Sequence, residues 1–403
     1  RQRPKFGCYQ KKSIFGVTPF LYSRFSSFYF FYYFFVGLFV PYWGIYLKSL
    51  SFSAFQIGTL LSLFQISRIF APNLFGWLAD KSGERAKWVK ITSFCGVLGF
   101  LGIFWANTFY SIFFVMMAMS IFTSSTLPLA ESLTLSHLEA NKANSDYSRI
   151  RLWGSLGFIV ASLVLGIFID NTGAKSLIYA LLIAQIIIFL LSFVIPDKVI
   201  KLKEGKKRSI WEVLKRTEVI ILLTGCALMV SSHGLLYNFY SIFLQEQGYS
   251  NIIIGILWSI GVIFEILIFI MMPMILKQLT LKSVLLFSLL FAVIRFFLIG
   301  TFADSLSILI LAQIMHAATF GSFHVASIQL ISNFFNNEHQ ARGQSLYNSI
   351  TYGVGGAIGG LGGGYLIDYW GAANTFKFSA ILPLIGFIII YLGLSDKIKA
   401  NLN

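Results

Sequence analysis

Long apolar runs separated by short polar connections extend from residue 24 to residue 394. Each run contains about 20 predominantly apolar residues, which is the length that an α-helix needs to cross the roughly 30 Å hydrocarbon layer of a bilayer. The pattern therefore predicts an all-α membrane protein with no large soluble domain between its helices. We assign twelve transmembrane spans, at residues 24–46, 54–79, 88–106, 109–137, 148–170, 176–196, 218–245, 251–276, 281–302, 305–335, 342–368 and 374–394.

Composition and charge agree with this class. Of the 403 residues, 57% are hydrophobic and only 12% are charged, which excludes an ordinary soluble domain. The net charge of +15 is spread over alternate connections, so it indicates membrane topology and not nucleic-acid binding. Twenty-three lysines and arginines lie on the side of the two termini, whereas the opposite side has only Lys48, Lys175 and Lys377. The positive-inside rule then predicts cytoplasmic termini. The expected location is the inner (plasma) membrane.

The two halves of the chain resemble each other. Residues 37–62 align without gaps on residues 234–259 with nine identities in 26 positions. The segment GIFIDNTGA at 166–174 matches GYLIDYWGA at 364–372 in five positions, and the aspartate of each segment is one of them. Duplicated halves are typical of secondary transporters, in which one half moves against the other around a central site.

The most basic connection, DKVIKLKEGKKRSIWEVLKRT at 197–217, divides the twelve spans into two sets of six. We therefore predict an N-terminal six-helix bundle at 1–197, a cytoplasmic central loop at 198–217 and a C-terminal six-helix bundle at 218–403. This organisation favours a transporter over a channel, because a channel does not need duplicated halves.

The connection GWLADKSGERAK at 76–87 resembles the loop signature of the major facilitator superfamily. The positions that match the pattern are Gly76, Asp80, Lys81, Gly83 and Arg85. Ala86 stands where a second basic residue is usual. In that family the loop lies on the cytoplasmic side and its charges hold the outward-open state, so the resemblance implies a gating role for Gly76, Asp80, Gly83 and Arg85. A plain basic loop with a tight turn at Gly83 explains the lysines and arginine but not Asp80.

Ionisable residues inside the apolar runs are rare and usually face a cavity or each other. The candidates are Arg68, Glu131, Arg149, Arg151, Glu265, Arg295, His316 and His324, with His233 as a further one. Arg149 and Arg151 point about 200° apart on a helix. Arg151 shares a stripe with Ser155 and Ser162 and is predicted to face a cavity. Arg149 lies beside Trp153 on an apolar face and is predicted to reach the cytoplasmic headgroups.

Glu131 lies on a similar polar stripe of the preceding span. Since consecutive spans are antiparallel neighbours, Glu131 and Arg151 are predicted to be mutual counterions, which lowers the desolvation cost of both charges. A purely structural ion pair is the alternative to a pair with which substrate competes.

The segment YSRIRLWGSLGF at 147–158 resembles the start of the fifth helix in the lactose permease type of proton-coupled sugar symporters and in the phenylpropionate permeases. The resemblance implies that Arg151 binds substrate and pairs with Glu131. It also implies that three residues of the second half contribute to proton coupling, namely Glu265, Arg295 and His316. In the sugar symporters, a tryptophan stacks on the sugar where this chain has Phe158, and a proton-carrying glutamate stands where it has Thr319. Lactose is therefore not the expected substrate.

The phenylpropionate permease resemblance is closer, because it also includes HAATFGSFHVASI at 316–328. An excess of guanidinium groups, from Arg68, Arg151 and Arg295, suits a carboxylate, which such a group binds with two parallel hydrogen bonds. Phe158 is a candidate neighbour for an aromatic ring. The sequence therefore predicts a proton-coupled symporter that imports an aromatic carboxylate. A sugar or nucleoside symporter and a transporter-derived sensor remain alternatives.

Other classes find no support in the sequence. No nucleophile and base, and no set of metal ligands, are spaced for an enzyme, and Cys8, Cys95 and Cys226 form no metal motif. The glycine run GVGGAIGGLGGG at 353–364 lacks the Lys-Ser/Thr of a nucleotide loop and suits close helix packing. We predict no cofactor, metal or nucleic acid. The expected partners are a small-molecule substrate, a proton and the lipid bilayer, and the expected oligomeric state is a monomer.

Overall fold

A computed structural model describes residues 18–141, 143, 146–197, 211–335 and 340–395. These ranges are helical and contain no strand. The first half has α1 (Pro19–Ser49), α2 (Ala54–Ser82), α3 (Arg85–Leu101), α4 (Phe109–Ala140), α5 (Asp146–Thr172) and α6 (Ser176–Ser192). After these come α7 (Trp211–Leu214), α8 (Thr217–Glu246), α9 (Asn251–Gln278), α10 (Leu281–Thr301), α11 (Leu306–Ile314), α12 (Phe323–Phe334), α13 (Gln340–Tyr347), α14 (Gly356–Ser379) and α15 (Ile381–Gly393).

Three short irregular helices complete this description. A 3₁₀ turn, Gly102–Phe104, extends α3. The π-helical turns Ala317–Ser322 and Asn348–Gly355 join α11 to α12 and α13 to α14. Much of the predicted basic central loop, the N-terminal tail with Cys8, and the last residues of the chain lie outside the described residues.

Ten of the described helical segments are long and apolar enough to cross a membrane. The predicted span 176–196 is a shorter apolar helix, Ser176–Ser192, and the predicted spans 342–368 and 374–394 fall within one segment, Arg342–Gly393. The all-helical, multi-pass membrane fold is therefore confirmed. The count of twelve spans and their division into two bundles stay predictions.

The polar connections contain the signals that start and stop these helices. At the start of α2, the Gln56 amide donates to Ser53 Oγ over 3.2 Å, and Gln56 Oε1 accepts from the Ser53 amide over 3.0 Å. This reciprocal capping box satisfies two amides that have no partner within the helix. The same helix ends at Gly83, whose φ of 72° is a left-handed conformation that suits glycine. The tight turn expected at Gly83 is thus confirmed.

The helices pack mainly within each half of the chain. In the first half, α1 packs against α5 and α6, and α4 packs against α2 and α3. In the second half, α8 and α10 both pack against α14 and α15. Contacts between the halves run through α2 with α14, α5 with α9, and α1 with α8. These helices form the boundary at which polar side chains of the two halves meet.

The glycine run that leads into α14 and continues along it allows two of these contacts. One four-residue ladder, Gly355, Gly359 and Gly363, faces Ala227, Ser231 and Leu235 of α8. The other ladder, Gly356, Gly360 and Gly364, faces Gln65, Ser62 and Ala54 of α2. A Cβ atom added at Gly359 would lie 1.9 Å from the carbonyl oxygen of Ser231, so only glycine fits there. The predicted close helix packing is therefore confirmed.

Candidate functional site

Ionisable and tyrosine side chains gather in two clusters within the helices. We call the first the Arg151 cluster, which consists of Tyr33 on α1, Glu131 on α4, and Tyr147 and Arg151 on α5. We call the second the Arg295 cluster, which consists of His233 on α8, Glu265 on α9, Arg295 on α10, and His316 and Thr319 between α11 and α12.

Arg151 is held by a tyrosine of the first helix. Its Nη2 donates to the hydroxyl of Tyr33, and its Cζ lies 3.8 Å from the centroid of the Tyr33 ring. Gly154 leaves the space for this arrangement, because a Cβ there would lie 2.7 Å from Tyr33 Cδ2 and 2.9 Å from Arg151 Nη1. The guanidinium is therefore fixed by stacking and by one hydrogen bond.

The predicted direct pair of Glu131 with Arg151 is not formed. Among the described residues, no ion pair within 4.0 Å joins them, and Glu131 Oε1 instead accepts from Tyr147 Oη at 3.4 Å. The physical reason is that the Arg151 guanidinium hydrogen-bonds to Tyr33, whereas the Glu131 carboxylate hydrogen-bonds to Tyr147. The two charges still interact electrostatically over a longer distance.

Arg149 and Arg151 have separate surroundings, as their spacing predicts. The Arg149 side chain is 55% exposed, and its Nη1 lies 3.5 Å from Asp146 Oδ1. Trp153, one turn further along α5, is also exposed and donates from Nε1 to Tyr22 Oη at 3.1 Å. Arg149 is thus on the outer face of α5, and Arg151 is on the inner one.

Arg295 is fully buried and is surrounded by neutral acceptors. Its Nε donates to the carbonyl oxygen of Ala312 at 2.7 Å, and its Nη2 donates to Gln313 Oε1 at 3.3 Å. Its Nη1 lies 3.0 Å from His316 Nδ1 and 3.1 Å from Thr319 Oγ1. Thr319 belongs to the π-helical turn, and such turns are frequent at functional sites.

His316 lies between Arg295 and Glu265. A guanidinium only donates hydrogen bonds, so His316 Nδ1 accepts and the ring proton is at Nε2. His316 Nε2 is 3.7 Å from Glu265 Oε2, which links the three predicted coupling residues in a chain. The pairing of Glu265 with Arg295 is thus indirect. His233 also joins this cluster, since its Nε2 is 3.4 Å from Arg295 Nη1 and its Nδ1 donates to the Met229 carbonyl.

The remaining predicted residues make other direct contacts. Arg68 donates from Nη1 to Gln65 Oε1 at 3.3 Å, and no described hydrogen bond or ion pair joins it to either cluster. Phe158 is buried on α5, and its ring centroid is 6.4 Å from that of Trp258 on α9. His324 is 3.0 Å from Tyr352 Oη.

Charge interactions connect the two clusters across the boundary between the halves. The Arg151 guanidinium of α5 acts electrostatically on Glu265 of α9. Glu265 of the Arg295 cluster therefore has an electrostatic partner, Arg151, in the other half of the chain. Among the described residues, no group of three or more His, Cys, Asp or Glu side chains is arranged to hold a metal ion.

The charged loop at 76–87 forms its own set of contacts. Asp80 Oδ1 accepts from Arg85 Nη2 at 2.6 Å, and Arg85 Nη1 donates to Ser132 Oγ of α4 at 2.6 Å. Gly76 has open space at its Cβ position, so packing does not require glycine there. The loop charges therefore tie α2, α3 and α4 together.

Two residues of the Arg151 cluster escape sequence analysis. Tyr33 lies in the run FYFFYYFF at 28–35, where many aromatic residues look alike. Tyr147 precedes Arg151 by four residues, which places both on one helix face, and this spacing was an available signal.

Comparisons with known proteins identify the class. Residues 22–378 match the model of the MFS_1 like family. The chain is 29% identical to a probable 3-phenylpropionic acid transporter of Escherichia coli (strain K12), over 83% of this chain and 88% of that protein. It is 24% identical to the maltose permease of Geobacillus stearothermophilus, over 96% of each chain. The crystal structure of the nucleoside transporter NupG has a similar fold, with a TM-score of 0.81 at 20% identity over 92% of this chain and 99% of that one.

The helical fold and these matches define a multi-pass membrane transporter of the major facilitator type, and not an enzyme. The chain belongs to the MFS_1 like family. A small-molecule substrate follows from this membership.

Proposed function

We propose that this protein is a proton-coupled symporter that imports an aromatic carboxylate of the phenylpropionate type by alternating access. The proposal includes twelve spans in two six-helix bundles, cytoplasmic termini and an inner-membrane location. The name of the Escherichia coli relative and the excess of guanidinium groups both support this substrate class.

Arg151 carries the proposal for substrate binding. The Tyr33 hydroxyl accepts a hydrogen bond only from Nη2 of Arg151. Among the described residues, Nε and Nη1 of Arg151 have no hydrogen-bond acceptor. A substrate carboxylate is the acceptor that best fits two guanidinium N–H groups. The unmet donors of Arg151 therefore support an organic anion over a neutral solute.

Glu265 supports the coupling of substrate to a proton. Its charge interacts with Arg151 across the boundary and its Oε2 faces His316 Nε2, so an ionised Glu265 competes with a substrate anion for Arg151. A proton on Glu265 removes this competition. Proton binding and anion binding are then linked through one carboxylate, since each favours the other.

Uptake into proteoliposomes tests substrate class and coupling together. We expect labelled 3-phenylpropionate to accumulate above its outside concentration under an inward proton gradient and to equilibrate without accumulation when a protonophore is added. Accumulation of only maltose or nucleosides would contradict the substrate class. Equal accumulation with and without the gradient would contradict proton coupling.

A variant of Glu265 tests the proposed carboxylate. Glu265→Gln is expected to retain exchange of labelled for unlabelled substrate but to lose accumulation driven by the proton gradient. Glu139→Gln, at an exposed position near the end of α4, is the matched control and should behave as the native protein. Gradient-driven accumulation by Glu265→Gln would show that another group carries the proton.

A further inference from the structure

Two aspartates each cap a helix that belongs to the other half of the chain. Near the end of α5, Asp170 Oδ1 accepts from the Asn251 amide at 3.0 Å, and its Oδ2 accepts from the Ile252 amide at 3.1 Å. In α14, Asp368 Oδ1 and Oδ2 accept from the amides of Ala54 and Phe55, each at 2.9 Å. Both carboxylates thus bind the first two amides of a helix, where unpaired donors and the helix dipole favour negative charge.

The two contacts are copies of one arrangement. Asp170 and Asp368 occupy the same place in the repeated segments at 166–174 and 364–372. The helices that they cap, α9 and α2, each begin one residue after a capping serine. Because the two aspartates are equivalent in the repeat and make the same contact, we assign them a common role. Neither contact alone would support this assignment.

Both contacts lie at one end of the molecule. Ala54 follows α1 after a short connection, and Asn251 follows α8 after a similar one. At this same end, Lys48 near the end of α1 forms an ion pair with Glu246 at the end of α8. Three charged contacts therefore join the halves here.

The ion pair of the charged loop at 76–87 does not join the two halves. Its ion pair, Asp80 with Arg85, stays within the first half of the chain, and the Arg85 contact with Ser132 does so too. Further along α2, the contacts between the halves include hydrogen bonds of neutral groups, from Ser345 Oγ to Asn73 Oδ1 at 2.5 Å and from Ser349 Oγ to the Ile69 carbonyl oxygen at 3.2 Å.

We propose that Asp170 and Asp368 are two equivalent latches that hold the Lys48 end closed and favour the conformer whose pathway opens at the opposite end. When the halves separate at this end, each carboxylate loses its hydrogen bonds to the helix amides, and water replaces them. The latches therefore favour the closed arrangement. This inference rests on the proposed alternating access. With the orientation proposed above, the latched conformer faces the cytoplasm.

The two latches are expected to differ in strength. Asp170 Oδ1 also accepts from the Asn251 side-chain Nδ2 at 2.7 Å, whereas Asp368 faces Ala54, which has no side-chain donor. Losing Asp170 therefore removes one more hydrogen bond than losing Asp368 does.

Distance measurements between spin labels test the latches in the full chain. Labels on Lys175→Cys and Gln247→Cys, in a background without native cysteines, report the separation of the halves at the Lys48 end by pulsed electron resonance without substrate. We expect Asp368→Ala to raise the ratio of open to closed distances roughly fivefold, as loss of a helix cap does. Asp170→Ala should raise it more, and the double variant should raise it by about the product of the two.

Asp304→Asn is the matched control, because this exposed carboxylate is at the same end but no described contact joins it to the first half. The inference is overturned if the double variant has the native distance distribution, or if Asp304→Asn shifts that distribution equally. Asp170→Asn and Asp368→Asn, which keep the shape of the side chain, serve if the alanine variants fail to fold. A protein that transports no aromatic acid still permits this measurement, so failure of the proposed substrate and failure of the latches are distinguishable.

Discussion

At the residue scale, Arg151 depends on neighbours that no local pattern identifies. Helical spacing separates it from Arg149, because two residues are about 200° on a helix and this difference does not depend on packing. Its direct partner, however, is Tyr33, which lies 118 positions away in an aromatic run. Electrostatics alone pointed to Glu131 as the partner. The stacking of the guanidinium on a ring competes with an ion pair, and the sequence does not reveal which contact is formed.

The planar fork of Arg151 is expected to matter more than its charge. Arg151→Lys keeps a cation but loses the stacking on Tyr33 and the two parallel donors, so initial uptake below saturation should fall about tenfold or more. The measurement is the initial rate in proteoliposomes that contain equal amounts of inserted protein. Arg149→Lys, two residues away on the exposed face, is the control and should keep native uptake. Equal losses in both variants would assign no special role to Arg151.

At the element scale, the glycine ladders were predictable and their partners were not. Spacing by four residues places Gly359 and Gly363 on one face of α14, in line with Gly355 just before it, and this follows from helical geometry. The identity of α8 as the partner depends on packing between distant parts of the chain. The π-helical turns were also not predicted, because one extra residue per turn leaves the apolar pattern nearly unchanged.

Gly359 and Gly362 offer a test of this packing. Gly359→Ala would force its Cβ against the Ser231 carbonyl oxygen, so we expect a loss of roughly 1–3 kcal/mol in stability. Gly362 has open space at its Cβ position, and Gly362→Ala should be neutral or stabilise by up to about 1 kcal/mol through helix propensity. Thermal unfolding of the purified protein in detergent measures both. A lower midpoint for both variants, or for neither, would contradict close packing of α14 on α8.

At the scale of the whole molecule, charge and hydropathy predict the class of the protein, and pairwise contacts decide how its parts are joined. The positive-inside pattern and the duplication arise from long stretches of sequence, so they were visible without a structure. The contact of Asp170 with α9 was not, although the repeat drew attention to that aspartate. A repeat shows that two positions are equivalent, but it does not show which helix each of them contacts.

The contacts of the loop at 76–87 bear on gating, which involves the whole molecule. Asp80 accepts two hydrogen bonds from Arg85, which in turn binds Ser132, so the carboxylate orders the ends of three helices. Asp80→Asn removes the charge from this network, and we expect initial uptake to fall severalfold while insertion and folding persist, since a partly exposed ion pair contributes little to stability. The measurements are initial uptake and the amount of monodisperse protein on size-exclusion chromatography.

Glu84→Gln is the control for this prediction, because Glu84 lies in the same loop but, among the described residues, its ion-pair partner is Lys87 on the exposed surface. It should leave uptake at the native level. Native uptake by Asp80→Asn would remove the gating role and leave the loop as a topological signal. A matching loss in Glu84→Gln would instead point to the overall loop charge, because the two variants remove the same charge and differ only in the contacts that each carboxylate makes.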